Sequence, residues 1–371
     1  MEQFDVSYVT NDSVAEGVGS SQIIPLIKRL AADGLKINLI SYEKLNPSGE
    51  MKSLFEEWGV IWFPQVFDGH GTVKGLLRYA HLPGLIPTSK IVHARSDIPT
   101  VAGILAKNGP VLWDVRSLWS DQRAYMEENP FKKRAVSTFK LAEKIAGNKS
   151  HGLSTLTSSI VPVLEKRHKR LPEFRTVVPT CVDLELFRIQ SLVPQTCKVL
   201  FSGTYNNYYD LELSRIFLEK LSQFITLEIH WARPTESSRK ILGVGEHLTF
   251  NSRQKDLSSL IPNYSFGMSI CKLDAGLSLK SAMPTKVAEF LACGRPIVVN
   301  KGLGDLDDFI SEFDAGVVLD GTLEDINLKV QKLIELLADK DTPGRCRSLA
   351  EKYFDIDLGA QKYIKLYNAM L

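Results

Sequence analysis

KSAMPTKVAEFLACGRPIVVNKGLGD, residues 280–305, joins a short helix to a short strand and carries the α/β pattern of the whole chain in one stretch. Pro284 suits the first helical position, Val287, Phe290 and Leu291 make an apolar back face, and Gly294 supplies the stop. IVVN, 297–300, then reads as a buried strand. The anomaly is Lys286. It falls in the first turn, where the helix dipole is positive and a carboxylate is the favoured side chain. Glu289 follows one turn later.

Working outward, the first half alternates short apolar runs with helical patterns. FDVSYVT, KINLISYE, VIWFPQVF, KIVHARS, PVLWDVRS and HGLSTLT read as strands. SQIIPLIKRLAADG, MKSLFEEWG, DIPTVAGILAKNG and SSIVPVLEKRHKRL read as helices between or after them. Such alternation predicts an α/β fold with a doubly wound parallel sheet, its ligand site beyond the carboxyl ends of the strands. TVVPTCVDLELF reads as a last strand with an exit turn, and after Gln190 the pattern restarts with KVLFSGTY, LELSRIFLEKLSQF, ITLEIHW, HLTFNSR, KDLSSLIPNY and SFGMSICK. A second domain of the same class is therefore expected, with the boundary near residues 183–196. The last stretch, 345–371, holds two helical patterns broken near Asp355–Gly359.

At 371 residues, 44% hydrophobic and 24% charged, the chain has room for two globular domains, and disordered or collagen-like classes are excluded. No apolar run approaches the roughly 18–20 residues that span a bilayer, and the N-terminus has no basic and apolar leader pattern. A cytoplasmic location is expected. Five scattered cysteines, without a CxxC pair, read as reduced and mostly buried. The net charge is only +2, yet residues 131–170 hold ten basic residues against two acidic ones. That segment is either a solvated helix face or a patch for anionic headgroups or a lipid-phosphate acceptor, peripheral on the inner face of a membrane. It lacks the interleaved aromatics of a nucleic-acid surface, and no nucleic-acid partner is expected.

Chemistry-bearing residues collect at the strand ends. EGVGSSQ lacks the third glycine of a dinucleotide fingerprint, since Gln22 holds that position. Gly17 and Gly19 remain candidates for close backbone approach to a phosphate or sugar. His93, Arg95, Asp114, Arg116 and Asp121 cluster in HARSDIP and WDVRSLWSDQRA. No GxSxG elbow, HExxH, P-loop or kinase lysine pattern is present. In the second half Gly203 and Thr204 sit in a strand-to-helix turn, and Pro284, Thr285, Lys286 and Glu289 open a later helix. Free N–H groups at a helix start bind anions, so an ammonium added there suits a diphosphate. Glu289 is then placed to accept two hydrogen bonds from a ribose diol. The plainer alternative is an exposed lysine and an ordinary helical glutamate.

These residues resemble a known family. MPTKVAEFLACGRPIVVNKGLGD resembles the nucleotide-sugar signature of retaining glycosyltransferases of family 4, of bacterial polysaccharide or glycoconjugate type, with the GT-B fold. VPTCVDLELF is similar to that family's interdomain segment, and EGVGSSQIIPLIKRLAADG to its glycine loop and first helix. The resemblance implies two Rossmann-like domains facing each other across a cleft: an acceptor-side domain at 1–183, a nucleotide-sugar domain at 184–354, and a helix at 355–371 that crosses back to the first. It implies transfer of a sugar from a nucleoside diphosphate, most often UDP, to a hydroxyl of a glycan or lipid-linked saccharide with retention of configuration. No cofactor and no divalent metal are expected. Asp114, Arg116 and Lys286 become the catalytic candidates. Gly17, Gly19, Gly203, Thr204, Pro284, Thr285, Lys286 and Glu289 become donor-binding, with His93, Arg95 and Asp121 on the acceptor side. The family often carries a glutamate eight positions before the one on the ribose; here that position is Ser281. It also commonly places a basic residue after the glycine turn of the second domain, and FSGTYNNYYD has none. An epimerase of the same architecture, or a binding subunit without catalysis, are the alternatives.

Overall fold

Short β-branched runs bounded by Gly, Pro and Ser give twelve strands among the described residues, and every strand pairing is parallel. The computed structural model describes residues 3–17, 19–66, 72–127, 130–190, 196–202, 205–231 and 257–371. The expected strand HLTFNSR and the turn residues Gly203 and Thr204 lie outside them. The chain divides into two compact units, Met1–Pro179 with Ile356–Leu371, and Thr180–Asp355.

The first unit holds β1 (Phe4–Thr10), β2 (Ile37–Glu43), β3 (Ile61–Val66), β4 (Ser89–Arg95), β5 (Val111–Val115), β6 (Gly152–Thr155) and β7 (Phe174–Val177) in the order β3-β2-β1-β4-β5-β6-β7. β2, β5 and β6 are buried along their whole length, as strands covered on both faces must be. The edge strand β3 is half exposed and tolerates Pro64, because one of its two edges has no partner strand among the described residues. The winding reverses between β1 and β4. In open parallel sheets a ligand site lies at the carboxyl ends flanking such a reversal.

The final helix, Ile356–Met370, belongs to this first unit. Ile356, Gly359, Ala360, Tyr363, Leu366 and Tyr367 recur at three- and four-residue spacing and are all buried. Met370 comes so close to β6 that a Cβ on Gly152 would stand 2.4 Å from its sulfur. A side chain at that position would require the methionine to shift.

The second unit holds β8 (Cys197–Phe201), β9 (Leu227–Trp231), β10 (Phe266–Ser269), β11 (Ile297–Asn300) and β12 (Gly316–Leu319) in the order β12-β11-β10-β8-β9, with the reversal between β8 and β10. Helix Leu211–Leu221 starts on Asp210, whose side chain accepts from Leu213 N, and its Leu213, Phe217, Leu218 and Leu221 pack into the core. Arg347 ties the opening segment of this unit to its core by donating to the carbonyls of Phe187 at 2.7 Å, Ala292 at 3.0 Å and Leu184 at 3.2 Å.

The opening stretch folds as a helix, Thr285–Ala292, followed by β11. One expectation is corrected. Pro284 is the N-cap, with ψ 130° outside the helical range, and Thr285 is the first helical residue. The cause is the extended ψ, which leaves Pro284 contributing its carbonyl to Val287 N at 3.1 Å while its own backbone stays outside. Gly294 turns the chain with φ +73° and ends the helix as expected. Phe290 lies on β10 at Gly267, where an added Cβ would come within 2.5 Å of the ring. The helix is buried all round from Lys286 to Ala292.

Candidate functional site

In the first unit, strand register alone assembles a polar group. Arg95 on β4 pairs with Asp114 on β5 and with Thr10 on β1, and Asp114 pairs with Ser154 on β6. Asp114 is buried, and its Oδ1 accepts from Ser154 Oγ at 2.8 Å and Tyr363 Oη at 3.1 Å. Arg116 Nη1 stands 3.6 Å from that oxygen, while His93 Nε2 and Arg95 Nη1 stand 3.4 and 3.9 Å from Oδ2. Burial by itself raises this carboxyl's pKa; Arg116, the His93 contact and Arg95 overcome it and hold the group well below the usual carboxylate range. Asp114 is a fixed negative charge that orients two arginines.

The arginines converge on one acceptor. Gln22 Oε1 receives Arg95 Nη2 at 2.7 Å and Arg116 Nη2 at 2.9 Å, and Arg95 Nε donates to Asp12 at 2.8 Å. Thus Gln22, which spoils the dinucleotide fingerprint, holds a guanidinium pair. Arg95 is closed in, whereas the Arg116 side chain keeps 12% of its surface exposed. His93 is fully buried: Nδ1 lies 2.6 Å from Tyr367 Oη, and burial pushes its pKa down, so the ring is neutral. It supports Asp114 from below and does not reach solvent.

Asp121 stands apart from this group. It accepts Arg167 at 2.7 and 2.9 Å, and the same guanidinium reaches Glu143 at 3.2 Å. Arg167 therefore leaves the basic segment's surface, while Lys140, Lys144, Lys149, Lys166, Lys169 and Arg170 stay exposed. Asp97 is buried near Glu143 and Asp121, and burial followed by their charge pushes its carboxyl up to about 7.

Sequence reasoning passed over Glu43. Buried at the end of β2, it accepts from Ser13 Oγ at 2.5 Å, Val14 N at 2.9 Å, Ala15 N at 3.2 Å and Ser41 Oγ at 2.5 Å. It organises the loop after β1. That loop packs on Gly19, where a Cβ would meet the Ser13 carbonyl oxygen at 1.8 Å, so chain packing accounts for this glycine. Gly17 has φ +63° and open space around its Cα. The available signal for Glu43 was a carboxylate closing an otherwise unbroken buried strand.

In the second unit the polar group lies where β8 and β10 reverse. Lys286 is 8% exposed and Glu289 is 4% exposed, which removes the plainer reading of a solvated pair. Lys286 Nζ donates to Tyr205 Oη at 3.1 Å and lies 4.1 and 4.5 Å from the ring centroids of Tyr205 and Tyr209. Burial lowers its pKa to about 8, opposed by Cys271 and Glu289. Among the described residues no carboxylate lies within ion-pair distance of this ammonium. Thr285 and Pro284 open the helix beside it. Asn300, at the end of β11, accepts Cys271 N at 2.7 Å and fixes the chain leaving β10. Ser281 is buried, and its Oγ donates to Ser278 O at 2.9 Å.

No family profile and no curated protein matches the sequence. In structure the chain is similar to sucrose-phosphate synthase from Thermosynechococcus elongatus, with a TM-score of 0.73, 13% identity and 98% of each chain covered. It is similar to a glycosyltransferase from Rickettsia africae, with a TM-score of 0.69, 15% identity, and 100% of this chain and 99% of that one covered. Anabaena HepE, solved with UDP and glucose, gives a TM-score of 0.68 at 12% identity over 99% of this chain and 100% of that one. The fold is GT-B.

Proposed function

We propose that the protein is a glycosyltransferase that moves a sugar from a nucleoside-diphosphate sugar, with UDP the favoured carrier, to a hydroxyl acceptor with retention of configuration. The observation that carries this reading is Lys286: a buried cation with no carboxylate at ion-pair distance among the described residues, in the first turn of a helix, at the winding reversal of a parallel sheet. A buried charge needs a partner, and a diphosphate supplies one. The fold shared with HepE, a protein solved with UDP and glucose, supports the nucleotide assignment.

Lys286 and the positive end of the helix that starts at Thr285 hold the diphosphate and stabilise the charge that grows on it as the C1–O bond breaks. Glu289 takes the ribose hydroxyls. The acceptor oxygen bonds to C1 on the face the diphosphate leaves, and its proton passes to the departing phosphate oxygen, so no separate base is required. Arg116 meets the acceptor or the reacting sugar, and Asp114 acts through it. Gly17, Gly203 and Thr204 contribute backbone and hydroxyl contacts. A divalent metal is not needed, and donor turnover is expected to be unchanged by EDTA. The exposed basic residues of 140–170 suit a glycan or lipid-linked acceptor at an anionic membrane surface. Flotation with anionic liposomes that weakens with salt is the expected result; salt-independent behaviour leaves a solvated face.

Ser281 favours one second reading, a nucleotide-sugar-binding protein without transfer, because its hydroxyl is tied to Ser278 where the family that the sequence resembles often carries a carboxylate. Incubation with UDP-hexoses separates the two. Release of UDP at an appreciable rate removes the binding-only reading, and conversion of the sugar without UDP release indicates an epimerase.

A further inference from the structure

The turn after β8, FSGTYNNYYD, contains no basic residue from Phe201 to Asp210, yet it supplies two rings to Lys286. Tyr205 is locked by aromatic neighbours: its centroid lies 5.4 Å from both Phe201 and Trp231, which stack on each other at 4.5 Å. Tyr209 lies 4.7 Å from Tyr205 and bridges to Cys271, so the exit of β10 holds it in place. The groups facing the ammonium are Tyr205, Tyr209, Cys271 and Glu289. Burial pushes both phenols and the Cys271 thiol up, to about 12 for the thiol, so all three are neutral.

We propose that Tyr205 and Tyr209 form a neutral aromatic cage that positions the Lys286 ammonium for the donor diphosphate, in place of a second cation at this strand end. The proposal rests on the donor-site reading above. A ring face attracts a cation through its quadrupole and does not neutralise the charge, as a carboxylate would. An ammonium has three N–H donors, and Tyr205 Oη takes one, leaving two for phosphate oxygens. Both tyrosines are positioning residues.

A double-mutant cycle tests this with UDP as the probe in calorimetry. Tyr209→Leu in the wild-type background weakens binding about 3- to 30-fold, the range of an exposed to a desolvated cation–π contact. Tyr209→Phe, which keeps the ring, recovers most of the loss. In a Lys286→Met background, Tyr209→Leu has no further effect. An equal loss in both backgrounds makes Tyr209 mere packing and overturns the cage while leaving the donor site standing. Absence of any nucleoside-diphosphate binding by the wild type overturns the donor-site reading instead. The cage is then tested without nucleotide, by NMR titration of 13C-labelled lysine: the Lys286 titration falls by about half a unit or more in Tyr209→Leu and holds in Tyr209→Phe. A titration that stays in place in Tyr209→Leu overturns the cage.

Discussion

Lys286 is the residue on which the account turns, and its ionisation makes the first prediction. Only the ammonium attracts a diphosphate, and in the ligand-free protein burial places its pKa at about 8. UDP affinity should therefore hold between pH 7 and 8 and fall above 8, by up to about tenfold per pH unit for one proton. Lys286→Met should flatten that profile and weaken binding at pH 7 about 10- to 100-fold, the range of a charge-assisted hydrogen bond. Glu289→Ala should weaken UDP and spare inorganic pyrophosphate, since its proposed contact is the ribose. Calorimetry at several pH values reads all three. Lys286 stands out in the sequence because a cation in a first helical turn breaks the dipole rule, and Glu289 is drawn in only as its neighbour one turn later. Tyr205 and Tyr209 do not stand out, because nothing local in YNNYYD says which ring faces which element.

At the scale of elements, Gly267 and Phe290 make a tight helix-to-strand contact. Gly267→Ala drives a Cβ to within 2.5 Å of the ring and should cost about 1–3 kcal/mol, with Gly267→Ala/Phe290→Leu recovering part of it in chemical denaturation. Asp97 gives a pH-dependent case. Its folded pKa of about 7 lies above its unfolded value, so the stability contributed by the protonated form is present at low pH and is lost as pH rises from about 4 through 7. Asp97→Asn keeps an acceptor for Trp113 Nε1, now at 3.1 Å, and removes that loss. Its advantage over wild type should grow across that window and level off above it, at a size on the order of a few kcal/mol by denaturant titration.

The strands came through from the sequence because a parallel sheet covered on both faces leaves unbroken apolar runs, as KINLISYE and PVLWDVRS do. β12, Gly316–Leu319, is not among the expected strands; it opens on a glycine just after an Asp314 turn with positive φ. Pro284 was misplaced by one residue because composition does not fix ψ. Glu43 was passed over for a different reason. Its four hydrogen bonds run to the loop after β1 and to its own strand, and a long-range partner of that kind is invisible in a linear reading.

At the scale of the whole molecule, the first unit is closed by the end of the chain. Tyr363 and Tyr367 come from residues 356–371 and hydrogen-bond to Asp114 and His93, so a fragment of residues 1–179 lacks part of its own core. That fragment should show no cooperative unfolding transition alone. Tyr363→Phe in the full chain should cost about 1.5–3 kcal/mol, because the ring remains while one hydrogen bond to a buried carboxylate is lost. The α/β class and the restart after Gln190 were legible as pattern; the return of the last helix to the first unit followed from the resemblance and not from any periodicity.

The proposed function stands or falls with a nucleoside diphosphate held at Lys286 in the second unit. Calorimetric titration of UDP, GDP and ADP into the wild type and Lys286→Met at pH 7.5 tests it most directly. The wild type should bind at least one of them, UDP most tightly, and Lys286→Met should lose tenfold or more while its melting temperature holds or rises. Equal binding by the two proteins, or binding of none of the three by the wild type, would contradict it.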